Sequence, residues 1–175
     1  MKVVTRKNRL YEENELYDQM NDIFLNAERE SNDNDLSSFS NAESNDKCNT
    51  LILNFICKLE GYRIRFREYH WSAKTMTLHK LCDDIMSSLL DYEDQIAEEF
   101  QGIINYRIQP GTIRPILIED ASAGISKTLQ ILLTDIIAFK KQIKSCGDDN
   151  YDGMLNIIDD MIQKINAFKY LGTFD

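Results

Sequence analysis

The sequence predicts a largely all-α protein, and three observations lead to this fold class. Glycine and proline are scarce, with 7 and 2 copies in 175 residues. Charged residues make up 28% of the chain. Leucine and isoleucine recur at the spacing of amphipathic helices, which favours helices over a turn-rich sandwich. The length suits one domain, or one domain with an appendage.

The N-terminal region, residues 1–49, is predicted to be an arm. Apolar residues at helical spacing indicate an amphipathic helix over about residues 10–29. Residues 30–49 are rich in Ser, Asn and Asp and cannot bury enough apolar area to offset chain entropy, so we expect a polar linker. The first nine residues carry four cations and no acid: Lys2, Arg6, Lys7 and Arg9.

This basic start bears on nucleic-acid binding. The net charge of −9 argues against a protein that coats nucleic acid with its whole surface. Contact of the arm with DNA is expected to be weak and salt-sensitive, because only four side-chain cations are available.

Residues 50–175 are predicted to form a four-helix bundle. The first helix runs from Thr50, as N-cap, to about Lys74, and His70 lies on its inward stripe. The remaining apolar positions of that stripe are Ile52, Phe55, Ile56, Leu59, Tyr62, Phe66 and Ala73.

The second helix is predicted over residues 76–101. Either Thr75 or Thr77 is expected to cap its start, and Gly102 is placed to end it as the first residue after the helix. Its inward positions are Leu78, Leu81, Cys82, Ile85, Leu89 and Ile96.

A long crossover separates the two halves of the bundle. The stretch "IINYRIQPGTIRPILIED", residues 103–120, contains both prolines and interrupts the helical pattern. A third helix is predicted over about 120–145 and a fourth over about 150–170. Two tight helix pairs joined by one long crossover give the connectivity of ferritin-like bundles, although periodicity leaves other four-helix arrangements open.

The four cysteines form no CxxC pair, and three occupy apolar helical positions. Buried thiols in a reducing compartment, with no disulfide framework, are therefore the simplest interpretation of Cys48, Cys57, Cys82 and Cys146. No apolar run has transmembrane length, and the polar start lacks the core of a signal peptide. We expect a location in the cytoplasm or in a particle assembled there.

The only two histidines, His70 and His79, lie nine positions apart across the predicted first turn. Asp94 and Glu98 are four apart on the acidic second helix, with no cation one turn away, an arrangement that a bound cation would stabilise. At ~1.5 Å per residue, His79 and Asp94 are ~22 Å apart on one helix. A metal site that uses all four residues must therefore be shared between two subunits across a two-fold axis.

The segment "HWSAKTMTLHKLCDDIMSSLLDYEDQIAEE" resembles the core signature of the Dps mini-ferritins, and especially of Dps-like proteins encoded by bacteriophages. The resemblance covers roughly residues 50–102 by motif and continues to about 170 by helix pattern. It implies an inter-subunit ferroxidase centre, with two histidines from one subunit and an Asp and a Glu from the other. Carried over, the metal ligands are His70, His79, Asp94 and Glu98, with Asp83 as an auxiliary acidic ligand.

Each of these residues also has an ordinary structural interpretation. A histidine on an apolar stripe is most often packed or exposed without a ligand, and an acidic helix is most often a solvated face. Trp71 either lies beside a metal centre or anchors a protein interface. Two imidazoles with carboxylates suit iron, but Mn(II) or Zn(II) would accept the same ligands.

Two functional hypotheses follow. In the first, a homo-oligomer binds Fe(II), oxidises it with peroxide or dioxygen, and stores or detoxifies the iron, which would make the protein a ferroxidase. In the second, a phage-encoded ferritin-like protein has no catalytic activity and serves as a structural or adaptor component that contacts virion or host proteins.

Overall fold

The computed structural model of the protein describes residues 39–118, 124–146 and 149–172, and all of its regular structure is helical. This confirms the all-α prediction. The predicted N-terminal helix at 10–29 and the basic start lie outside the described residues. The helices are α1 (Phe39–Ser72), α2 (Met76–Ile104), α3 (Gly124–Ser145) and α4 (Asp152–Leu171), with a short 3₁₀ helix (Asp149–Tyr151) before α4.

Helix α1 begins eleven residues earlier than predicted. The expected N-cap, Thr50, is an exposed residue inside the helix, so that prediction is wrong, and the predicted linker is helical from Phe39 onward. One reason is Cys48, which is buried in the core and gives the helix an inward-facing residue before Thr50.

Helix α2 begins as predicted but ends later. Thr75 is the N-cap, and its side chain accepts a hydrogen bond from the Leu78 backbone N–H. The predicted end at Gly102 is wrong, because Ile103 and Ile104 pack against the core and extend the helix. Asn105 then ends it in the left-handed conformation, at φ 50°.

The four helices enclose one hydrophobic core. Helix α1 packs against α3 through the stacked rings of Phe55 and Phe139, whose centroids are 3.8 Å apart, and Tyr62 donates a 2.5 Å hydrogen bond to Asp135. Helix α4 packs against both α2 and α3. Most of the predicted inward positions are buried, including Ile52, Leu59, Ile85, Ile136 and Ile158.

The crossover after α2 is irregular, as predicted, and its last part lies directly on α1. The Ile116 backbone N–H donates a 2.9 Å hydrogen bond to the carbonyl of Cys57. A Cβ atom at Gly61 would lie 1.8 Å from the Ile116 carbonyl oxygen, so only glycine permits this approach. Arg65 holds the end of the segment by donating to the Ile118 carbonyl.

The cysteine prediction is wrong for two of the four residues. Cys48 and Cys146 form a disulfide that joins α1 to the end of α3, whereas Cys57 and Cys82 are buried thiols as expected. The local pattern did not reveal the pair because the two residues are 98 positions apart. We call this end of the bundle the disulfide end, and the opposite end, around residues 69–79, the histidine end.

Among the described helices, none combines the length and the apolar character needed to cross a membrane.

Candidate metal centre

The two histidines meet at the histidine end of the bundle. His70 lies in the last turn of α1 and His79 in the first turns of α2, and the tight turn capped by Thr75 brings the helices back together. Their imidazole rings have centroids 3.7 Å apart, with 33° between the ring planes. The short connection between two helices thus makes one local cluster from both histidines of the chain.

Asp83 joins the histidines from one turn further along α2. Its Oδ1 lies 2.9 Å from His70 Nδ1, yet that nitrogen has no hydrogen-bond partner in the described structure, so the two atoms are close without hydrogen-bonding geometry. One donor atom from each of His70, His79 and Asp83 falls within 4.8 Å of the others. The sequence interpretation treated Asp83 as auxiliary, but in a single chain it is the carboxylate nearest to both imidazoles.

The backbone orients one of the two imidazoles. His79 Nδ1 lies 3.3 Å from the carbonyl oxygen of His70, at the end of α1. A carbonyl only accepts hydrogen bonds, so Nδ1 is the donor in this contact, and in the neutral imidazole Nε2 then offers its lone pair. A metal-binding histidine is commonly held in this way, with its second ring nitrogen donating to a carbonyl or carboxylate.

The cluster is open on one side. The His70 side chain is 19% exposed and that of Asp83 is 52% exposed, so solvent reaches the carboxylate while the imidazole is mostly covered. Trp71 and Met76 flank the turn and are 73% and 77% exposed. The histidine end therefore presents polar ligand atoms beside uncovered apolar side chains.

Asp94 and Glu98 lie elsewhere on the same helix. Both are exposed, and neither makes an ion pair or hydrogen bond with any residue in the described parts of the chain. Asp94 is fifteen residues from His79 along α2, which corresponds to ~22 Å at ~1.5 Å per residue. One chain therefore holds the histidines with Asp83 at one place and the Asp94/Glu98 pair at another.

A second group of charges lies between α1 and α2, and sequence reasoning missed it. Arg63 forms ion pairs with Glu60 on its own helix and with Glu93 on α2, the latter at 3.3 Å. Burial raises the pKa of the Glu93 carboxyl, and the nearby Glu60 raises it further, whereas Arg63 acts in the opposite direction. The charged neighbours of Glu93 on α2 mask its inward position in the sequence, because they give the helix a strongly acidic pattern.

No protein-family model, curated protein or solved structure matches this chain.

Proposed function

We propose that the protein binds Fe(II) and oxidises it at a site shared by two copies of the chain, as a Dps-like mini-ferritin that stores or detoxifies iron. The observation that carries the proposal is the convergence of His70, His79 and Asp83 at one end of the bundle. The resemblance of residues 50–102 to the mini-ferritin signature, and the ferritin-like order of two helix pairs and a long crossover, support it.

The spacing of the donor atoms suits a bound ion. If two donor atoms each lie ~2.1 Å from the same ion, they are ~3 Å apart when the angle between them at the ion is a right angle. They are at most ~4.2 Å apart, when they lie on opposite sides of the ion. The 2.9 Å between His70 Nδ1 and Asp83 Oδ1 falls in this range without being a hydrogen bond. The full set spreads over 4.8 Å, so a small side-chain movement would close it around one ion.

The positions of the proposed ligands along α2 support a shared site. The pair His79 and Glu98 and the pair Asp83 and Asp94 are both centred between Ser88 and Leu89. If two α2 helices pack antiparallel about a two-fold axis at that point, His79 faces Glu98 of the partner subunit and Asp83 faces Asp94 of the partner subunit.

Charge makes this pairing depend on a cation. The two α2 helices would bring exposed carboxylates of equal sign together, Asp83 of one copy against the partner's Asp94. Without a cation such an approach is unfavourable, because like charges repel. A divalent ion between them reverses the sign of the interaction, so we expect association through this face to require metal.

The ligand types suit the chemistry of iron oxidation. Two Fe(II) ions each give one electron to one peroxide molecule, whose O–O bond breaks to give two hydroxide ions. Carboxylate oxygens stabilise the harder Fe(III) product, while the imidazoles bind and orient Fe(II). The product hydrolyses to ferric mineral, which a closed shell of copies would retain.

The first experiment adds Fe(II) to the purified protein with peroxide or air and follows the absorbance of the ferric product. The wild type should form it much faster than a His70→Ala/Asp94→Ala variant. Asp84→Ala is the matched control, because it removes an exposed α2 carboxylate outside the proposed ligand set. Equal rates in wild type and the double variant would overturn the proposal.

The second experiment tests the sharing of ligands by complementation. A His70→Ala/His79→Ala protein and an Asp94→Ala/Glu98→Ala protein should each be inactive. Mixing them under conditions that exchange subunits should restore activity, because each mixed pair holds one complete site. If neither variant is inactive, or if exchanged mixtures stay inactive, the ligands are not shared between subunits.

A structural or adaptor role without catalysis is the second candidate. The exposure of Trp71 and Met76 beside the cluster favours it, because Trp is enriched where proteins contact one another. In that case Trp71→Ala would abolish association in solution. His70→Ala and Asp94→Ala would leave association unchanged, and the rate of ferric product formation would be the same as with the wild type.

A further inference from the structure

The disulfide joins two helices at places that differ in burial and in position along the helix. Cys48 is 7% exposed and lies well inside α1, whereas Cys146 is half-buried and follows the last residue of α3. Their Cα atoms are 6.2 Å apart. The bond therefore ties the end of one helix to the body of another.

Apolar packing closes the core beneath the disulfide. Ile52 and Ile143 lie one turn inward from the two cysteines and are buried, as are Tyr151 and Met154 from the start of α4. The stacked phenylalanine rings follow one turn further in. Loss of the sulfur bridge thus leaves the core closed and releases only the terminal turn of α3 and the facing turn of α1.

Cys146 is more accessible to small thiols than the buried thiol of Cys57 is. Cys146 lies beyond the regular hydrogen bonding of α3, held by a backbone hydrogen bond from its N–H to the Ile143 carbonyl, and it is partly exposed. An attacking thiolate can reach it. Cys57 is buried, and burial raises the pKa of its thiol, which lowers the thiolate fraction.

We propose that the Cys48–Cys146 disulfide is a redox-sensitive latch that holds the disulfide end closed when oxidised and lets it open locally when reduced. In the reductive step, two thiol molecules R–SH convert the bridge into two cysteine thiols and one R–S–S–R. A small disulfide reverses the reaction, with two R–SH released. This latch lies at the opposite end of α1 from His70, ~33 Å away at ~1.5 Å per residue, so the histidine cluster keeps its geometry in both states.

The test is hydrogen exchange measured by mass spectrometry on the full chain, oxidised and then treated with dithiothreitol. Reduction should cause loss of protection in peptides that cover residues 48–52 and 140–151, with no change over residues 66–82. Cys48→Ser and Cys146→Ser should show the reduced pattern under both conditions. Cys57→Ser is the matched control and should respond to dithiothreitol as the wild type does.

Alkylation of the native, air-purified protein provides an independent measurement. Cys48 and Cys146 should resist iodoacetamide before reduction, and after reduction Cys146 should react faster than Cys57. The proposal is overturned if both latch cysteines react before reduction. It is also overturned if reduction leaves hydrogen exchange unchanged or raises it equally at the two ends of the bundle.

Discussion

The two ends of this bundle hold their helices together by different means. At the disulfide end, a covalent bond and the apolar groups beneath it fix α1 against α3. At the histidine end, α1 and α2 meet through two imidazoles and a carboxylate, with Trp71 and Met76 left exposed. One end is thus cross-linked covalently, while the opposite end places ionisable side chains beside exposed apolar ones.

This difference bears on the proposed role of the histidine end. A ligand site needs polar atoms that are not already satisfied by the fold, and such atoms cost stability when buried. At the open histidine end water reaches the Asp83 carboxylate, whereas His70 Nδ1 is buried without a hydrogen-bond partner in the described structure. The comparison predicts large losses of stability from changes at the disulfide end and small ones from changes at the histidine end.

The largest expected loss comes from Cys48→Ser. Cross-linking residues 98 positions apart restricts the unfolded chain, and the chain-entropy relation gives about 4.7 kcal/mol for a loop of this size. Urea unfolding without reductant should show this decrease in the free energy of unfolding. With dithiothreitol present, wild type and Cys48→Ser should unfold at the same urea concentration; equal midpoints without reductant would remove the contrast between the ends.

Arg63→Met in the middle of the bundle should lower the free energy of unfolding by about 2–3 kcal/mol, because Glu60 and Glu93 then face each other, mostly buried, without a cation. Adding Glu93→Gln should recover part of that loss. Arg67→Met on the same helix is the control and should cost less than about 1 kcal/mol. A similar loss from both arginines would show that lost packing, and not charge, is responsible.

The raised pKa of Glu93 predicts a pH dependence of stability. The folded state holds the proton of Glu93 more tightly than the unfolded state, so this contribution is present at low pH and is lost as the pH rises through the folded pKa. The stability of the wild type relative to Glu93→Gln should therefore fall as the pH rises from about 4.3, the ordinary Glu value. Urea unfolding of both proteins across pH 4–7 measures this difference in the free energy of unfolding. If the difference rises with pH instead, the attraction of Arg63 outweighs burial and Glu60 in setting the pKa of Glu93.

Gly61→Ala should cost about 1–3 kcal/mol, because the new methyl group overlaps the Ile116 carbonyl and forces the crossover outward. Gly102→Ala is the matched control: it is also helical, has nothing within 4 Å of its Cβ position, and should gain up to about 1 kcal/mol. Thermal unfolding of the two variants should shift in opposite directions.

The smallest effects are expected at the histidine end. Trp71→Ser and Met76→Ser should each change the free energy of unfolding by less than about 0.5 kcal/mol, because both side chains are largely exposed. If the Trp71 and Met76 side chains contact another subunit, the two substitutions should instead lower the mass of the protein particle in solution. A loss above 1 kcal/mol in either variant would show that this end also stabilises the fold.

Sequence periodicity predicted the parts of the fold that depend on local pattern. The four helices, most of their buried positions, the Thr75 cap and the irregular crossover are confirmed. The meeting of His70 and His79 also followed from a short turn between two helices. Each of these features is set within a few turns of chain, where spacing determines which side chains share a face.

The features that sequence reasoning missed depend on contacts between distant segments or on context. The Cys48–Cys146 pair requires the packing of α1 against α3, which no local pattern encodes. Glu93 lies inward because Arg63 of α1 meets it there, although its neighbours on α2 are acidic and exposed. The metal-ligand roles of His70, His79 and Asp83 stay predictions. Those of Asp94 and Glu98 also stay predictions, and they depend in addition on a second copy of the chain.

The contact between Gly61 and Ile116 limits the insertions and deletions that the chain can tolerate. The crossover rests on α1 at Gly61, and from there an unbroken helix of nine residues leads to His70. One added or removed residue within that stretch would turn the imidazole by about 100° around the helix axis and away from His79. The spacing between Gly61 and His70 should therefore be fixed in length among related chains, even where its side chains vary.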